Sequence, residues 1–257
     1  MDERSLEDLI ANYLTTKQHY EQGVSGDYDP EYAIDERRLR EFLEMTQPDK
    51  VMSSRIFSSP VEHRRFLERL RSEISKRGIV DVLRKGVKHK ATTFFLYSPL
   101  PSELSVTAQA EYRKNKFCVI RQLHYSLQDT RLAVDVVIFI NGLPIITMEL
   151  KNNATSQDTT HAVAQYRTDR DPKDLLFMPK RCAVHFAVDD ETIEMCTWLC
   201  GKSSWFMPFN KGVNDGAGNP VNPNGLKTSY LWEEILSKRR LSDILEHYAY
   251  VKTEVDE

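Results

Sequence analysis

The chain has 257 residues, 40% of them hydrophobic and 28% charged, and carries a formal charge of −3 at pH 7. Those figures fit one large α/β domain or two small ones and exclude a mainly disordered chain. With no apolar run near the roughly 18 residues of a membrane span and no secretory signal at Met1-Asp2-Glu3-Arg4-Ser5, they point away from the membrane and towards the cytoplasm. Near-neutral charge neither implies nor excludes nucleic acid, so any contact with it must come from local basic clusters.

Residues 1–90 read as a mainly helical layer. Leu6, Leu9, Ile10, Tyr13 and Leu14 recur at helical spacing, as do Leu39, Phe42 and Leu43. Phe66, Leu67, Leu70 and Ile74 mark a further helix between Pro60 and Gly78. A loop is expected over residues 22–30 and a break at 47–50. Residues 91–200 read as a sheet core, with strands at 92–97, 117–125, 132–140, 143–150, 181–188 and 192–199. Short helices are expected at 108–113 and 159–170. Residues 201–257 read as a Gly-, Asn- and Pro-rich loop or lid over 207–229, then short helices at 230–236 and 241–248. The order predicts a single α/β domain with a mixed central sheet and an N-terminal helical layer. Cys118, Cys182, Cys196 and Cys200 form no CxxC pair and read as reduced, mostly buried thiols.

The informative feature is charge within the most apolar stretch. Asp135 lies in Ala133-Val134-Asp135-Val136-Val137-Ile138, and Glu149 and Lys151 lie at the end of Ile145 to Lys151, with Asn141-Gly142 as the hairpin turn. Glu149 and Lys151 share a strand face. A strict two-residue turn would pair Ile140 with Leu143 and send Asp135 and Glu149 to opposite faces. One added loop residue would pair Ile140 with Pro144 and set the carboxylates opposite each other. Pro144 cannot donate to the ladder, which favours the looser turn. Two carboxylates and an ammonium on one face suit Mg²⁺ or Mn²⁺ and metal-assisted phosphodiester hydrolysis. A structural ion pair of Lys151 with Glu149 or Asp135 fits the same spacing.

Basic residues form two groups. Arg167 and Arg170 stand at i, i+3 on the helix after the hairpin, positioned to grip phosphates. Arg84, Lys85, Lys88, His89 and Lys90 form a second group, read either as a phosphate-facing cluster or as solvated surface. No aromatic-interleaved platform for a single strand stands out.

The run Asp135 to Pro144 followed by Glu149-Leu150-Lys151-Asn152 resembles the nuclease domain of the restriction (R) subunit of type I restriction enzymes, within the PD-(D/E)xK nuclease superfamily. The resemblance extends through residues 77–86, 165–172, 185–189, 208–212, 216–220 and 230–232, and is weakest before residue 60. It implies a metal-dependent endonuclease acting on double-stranded DNA with Mg²⁺, or Mn²⁺ in its place. Asp135, Glu149 and the main-chain carbonyl of Leu150 would hold the metal, joined by Glu7 as a first-helix carboxylate, and Lys151 would position the attacking water. The family's Gln-x-x-x-Tyr motif near the DNA is met by Gln165, but the position four later is Asp169. The nearby tyrosine is Tyr166, and this departure leaves its role open between DNA contact and core packing.

The resemblance also implies modification (M) and specificity (S) subunits as partners, and ATP used by translocase domains that follow the nuclease domain. This chain has no GxxxxGK loop, so it reads as the N-terminal part of a longer subunit. A stand-alone nuclease of the superfamily and a degenerate DNA-binding or docking module are the alternatives.

Overall fold

A mixed seven-stranded sheet forms the centre of the computed structural model, which describes residues 3–101, 105–152, 157–214 and 216–250. The strands of this sheet are β1 (Glu21–Gln22), β6 (Phe117–His124), β7 (Ala133–Ile140), β8 (Leu143–Leu150), β9 (Val184–Val188), β10 (Ile193–Cys196) and β11 (Met207–Pro208), in that spatial order. Two short hairpins stand apart from it: β2 (Tyr28–Asp29) with β3 (Ile34–Asp35), and β4 (Val87–His89) with β5 (Thr92–Phe94). Pairing is antiparallel from β6 to β8 and parallel between β8 and β9, with helix α7 (Thr159–Thr168) in the connection. The expected α/β class with a mixed sheet is what the chain adopts.

Alternation along β7 and β8 sends side chains to two cores. Val136, Ile138, Ile146, Met148 and Leu150 join a cluster with α1 (Glu3–Thr16), α2 (Glu36–Thr46), α4 (Pro60–Arg77) and α5 (Ile79–Lys85). Cys118, Ile120, Val137 and Phe139 join a second cluster with Tyr166 of α7 and Leu175 to Phe177. Both faces are therefore covered, which is why β8 is buried throughout. Among the described residues no helix is long and apolar enough to cross a membrane.

Several elements differ from expectation. Part of the expected loop over 22–30 is recruited as sheet edges, where the buried Arg38 of α2 gathers the buried Asp35 and the partly exposed Glu21 and Asp27 into one ion-pair group. The break at 47–50 is a junction at which Pro48 opens α3 (Pro48–Ser54). Gly78 ends α4 but also starts α5, which the periodicity did not reveal. The helix at 108–113 is α6 (Val106–Tyr112). The C-terminal helices become wide π-type turns at Leu231–Ile235 and Ile244–Tyr248, flanking α8 (Lys238–Asp243). Within the expected loop, Met207 and Pro208 pair with β10, and Asn210 Oδ1 accepts from Ile193 N and from Asn219 Nδ2, each at 2.9 Å. Cys118, Cys182 and Cys196 are buried thiols, and Cys200 is exposed.

The β7–β8 hairpin corrects one expectation in its cause. The turn is the strict two-residue form, with Ile140 opposite Leu143 and Phe139 opposite Pro144. Asn141 and Gly142 both have positive φ, 51° and 80°, as a type I′ turn requires. Neighbouring chain locks it: Asp35 N donates to the Gly142 carbonyl at 2.8 Å, and Lys116 N donates to Asn141 Oδ1 at 2.7 Å. The extra residue enters one step later, as a bulge at Ile145, so that Ile138 faces Ile146 and Val136 faces Met148. A looser turn is not needed, and the next pair in this register is Asp135 with Glu149.

Candidate active site

The ladder between β7 and β8 ends at Val136 and Met148. Beyond it Asp135 bends into the gap, and its Oδ2 accepts from Leu150 N at 2.7 Å. Asp135 Oδ1 accepts from Gln122 Nε2 at 3.1 Å, and the same nitrogen donates to Glu7 Oε1 at 2.6 Å. The buried Glu7 of α1 is thereby linked to the hairpin through one side chain of β6.

Glu149 has no exposed surface. Its Oε1 accepts from Arg170 Nε at 2.7 Å, while its Oε2 is buried without a hydrogen-bond partner among the described residues. Burial, reinforced by the Asp135 charge, pushes the Glu149 carboxyl up to about 8, against the opposing pull of Arg170 and Lys151. Lys151 is itself buried, with its N–H donating to the Val188 carbonyl at 2.8 Å. Asp135, Glu149 and Lys151 thus meet where the two central strands part. Because N–H and C=O of one strand residue point to the same neighbour, the Leu150 carbonyl belongs to the edge on which Leu150 N meets Asp135.

Helix α7 closes over the same sheet face. Its start is tied to the end of β9 by Thr159 N donating to Asp189 Oδ2 at 3.0 Å. Tyr166 is fully buried, its hydroxyl 2.8 Å from Thr147 Oγ1, which in turn lies 2.7 Å from His185 Nδ1. Gln165 is half-buried, with its Oε1 buried and lacking a hydrogen-bond partner among the described residues.

The expected pairing of Arg167 with Arg170 on one exposed face does not form. The helix ends at Thr168, and Arg170 turns inward, with Nη1 donating to the Tyr125 hydroxyl at 3.3 Å and the guanidinium 5.5 Å from the Tyr125 ring. A buried carboxylate demands a buried counter-charge, and Arg170 supplies it. Arg167 stays outside, donating through Nε and Nη2 to the Ser204 carbonyl at 3.1 and 3.0 Å.

The second basic group is largely spent on structure. Arg84 donates to the carbonyls of Leu245 and Ala249, Lys85 pairs with Asp81, and Lys90 pairs with Glu62. His89 is buried edge-on against the Phe66 ring.

Gln122 and Tyr125 are the site neighbours that sequence reasoning missed, while Arg170 was singled out for phosphate and not as the partner of Glu149. Gln122 left one trace, as an uncharged polar residue interrupting the apolar run of β6. Among the described residues no three His, Cys, Asp or Glu side chains are already gathered as a metal cage. Asp135 and Glu149 could still offer the one or two carboxylate oxygens that Mg²⁺ takes when water and phosphate complete its shell. The unpartnered Glu149 Oε2 and the mutual repulsion of the two carboxylates fit such a cation.

The chain matches no curated protein sequence. Its residues 2–201 match the family described as the type I restriction enzyme R protein N terminus. That match spans the whole of β1 to β10, including every residue that meets at the end of the hairpin, and the chain belongs to the type I restriction enzyme R protein N-terminal family.

Proposed function

We propose that this chain is a metal-dependent endonuclease domain that hydrolyses DNA phosphodiester bonds, as the family membership leads one to expect of a restriction nuclease. The observation that carries the reading is the meeting of Asp135 and Glu149, with Lys151 beside them, at the parted end of two central strands. Asp135 and Glu149 would hold Mg²⁺ or Mn²⁺, with the Leu150 carbonyl and Glu7 as further oxygen donors. A bound divalent ion supplies Lewis-acid stabilisation of charge on the scissile phosphate. Lys151 presents an ammonium that orients the attacking water and offsets negative charge at phosphorus. Arg170 keeps the Glu149 carboxylate oriented from the protein side. Gln165, Tyr166 and Arg167 lie on α7 beside this sheet face: Arg167 is the one facing solvent, while Tyr166 acts through packing.

In this reading double-stranded DNA is the substrate, M and S subunits supply modification and sequence recognition, and cleavage is coupled to ATP-driven translocation by other domains. The test is nicking of supercoiled plasmid by a reconstituted complex with Mg²⁺ and ATP. Lys151→Ala or Glu149→Ala abolishes cleavage and leaves translocation intact; retained cleavage in either variant refutes the assignment. Cleavage by this chain alone would instead identify a stand-alone nuclease. One observation favours a docking module: Arg170 already engages one oxygen of Glu149. Under that reading neither substitution changes restriction.

A further inference from the structure

Gln122 is the one residue of β6 with a left-handed backbone, at φ 46°. Its neighbours are ordinary ladder residues, Arg121 opposite Val136 and Leu123 opposite Val134. A side chain with a β-carbon pays for that conformation in steric strain, and inside a strand it persists only where the surroundings impose it. Strain of this kind gathers where a side chain must be aimed.

Here it aims an amide. Gln122 Nε2 carries two hydrogens, and both acceptors are carboxylates: Glu7 Oε1 at 2.6 Å and Asp135 Oδ1 at 3.1 Å. The two acceptors come from different elements, α1 and β7, and their oxygens are held within two hydrogen-bond lengths of each other. Like charges brought so close repel, and the amide dipole is what lies between them. Gln122 itself is exposed, whereas Glu7 is buried, so the amide reaches from the solvent side into the site.

We propose that Gln122 is a positioning residue that delivers the Glu7 carboxylate to the Asp135–Glu149 site, and that its left-handed backbone is the means of doing so. The inference rests on the reading of that site as a divalent-cation site. It turns two opposed carboxylates into a set of three, drawn from α1, β7 and β8. Outer residues that orient ligands commonly change metal affinity by about 10–100-fold when removed.

Glycine adopts positive φ without steric cost, so Gln122→Gly keeps the backbone path while deleting the amide. The 257-residue chain and its variants are titrated with Mn²⁺ by calorimetry, and their thermal unfolding is followed in the metal-free state. Gln122→Gly is expected to weaken Mn²⁺ binding by about 10-fold or more with Tm unchanged or raised. Glu7→Gln is expected to weaken binding to a similar extent, and the double variant no further, since the two act through one contact. Mn²⁺ affinity in Gln122→Gly equal to wild type overturns the proposal while leaving the cation site standing. Affinity and Tm falling together would assign Gln122 to the fold and also overturn it. A wild-type chain that takes up no Mn²⁺ removes the cation site itself, and the proposal with it.

Discussion

His185 is buried under α7, with Nδ1 2.7 Å from Thr147 Oγ1, and burial holds its pKa at about 3 instead of the ordinary 6.5. Between those values the unfolded chain takes up a proton that the folded chain refuses. Stability from this group is therefore complete above about pH 6.5 and falls as pH drops towards 3, by up to about 1.4 kcal/mol per pH unit. His185→Gln keeps a polar group for Thr147 and removes the titration. Urea unfolding at pH 7 and pH 5 is expected to show a smaller acid loss in the variant than in the wild type. At this scale Asp135, Glu149 and Lys151 were legible, because charge within an apolar strand pair must be paired or used. Arg170 was legible as a cation but not as the partner of Glu149. Its side chain turns inward only because the helix ends at Thr168, and helix ends are poorly marked by periodicity. Gln122 was legible only as a polar break in the apolar run of β6, since neither its positive φ nor its partners on α1 and β7 leave a local signal.

The hairpin of β7 and β8 shows how an element can reach an expected register by an unexpected route. Asn141-Gly142 specified the tight turn, and that part could be read from two letters. The bulge at Ile145 could not, because it depends on how Pro144 and Ile145 meet Phe139 and Ile138 across the strands. A tight turn followed by a bulge leaves the same parity as a looser turn, so Asp135 and Glu149 still face each other. Gly142 sits where a β-carbon would come 2.1 Å from the Asp35 carbonyl oxygen and 2.7 Å from Leu39 N. Its φ of 80° adds strain for any other residue. Gly142→Ala is accordingly expected to lower stability by about 2–4 kcal/mol in denaturant unfolding, with any surviving folded fraction keeping the site.

At the scale of the molecule, a charge of −3 is the balance of 35 basic and 38 acidic residues, and the fold pairs many of them with one another. Arg38 serves Asp27, Asp35 and Glu21, Arg77 serves Glu73 and Asp81, and Lys116 serves Glu21 and Glu41. Lys85 and Lys90 belong to the same economy of internal pairs. Replacing both by Ala is expected to leave the DNA affinity of an assembled complex, and the slope of that affinity against salt, unchanged. A drop in slope of about one per lysine would show that they touch phosphate. The mixed sheet and its helical layer were legible from the order of periodic segments. The two-sided covering of β7 and β8 was legible from runs that are apolar on both faces apart from Asp135, Thr147 and Glu149.

Asp135 has a second consequence, which concerns how a loss of activity is to be interpreted. Its carboxylate stands where a main-chain carbonyl would otherwise receive the Leu150 N–H. Shortening it to alanine strips that donor of its partner as well as removing a site oxygen, so inactivity in Asp135→Ala would mix a damaged sheet with a missing ligand. Asparagine retains an acceptor oxygen for Leu150 while giving up the charge and the oxygen that accepts from Gln122 Nε2. The pair of substitutions separates architecture from chemistry at a single position. It also means that Asp135 cannot be lost silently: a chain that gives it up leaves the Leu150 N–H without this acceptor in the same step.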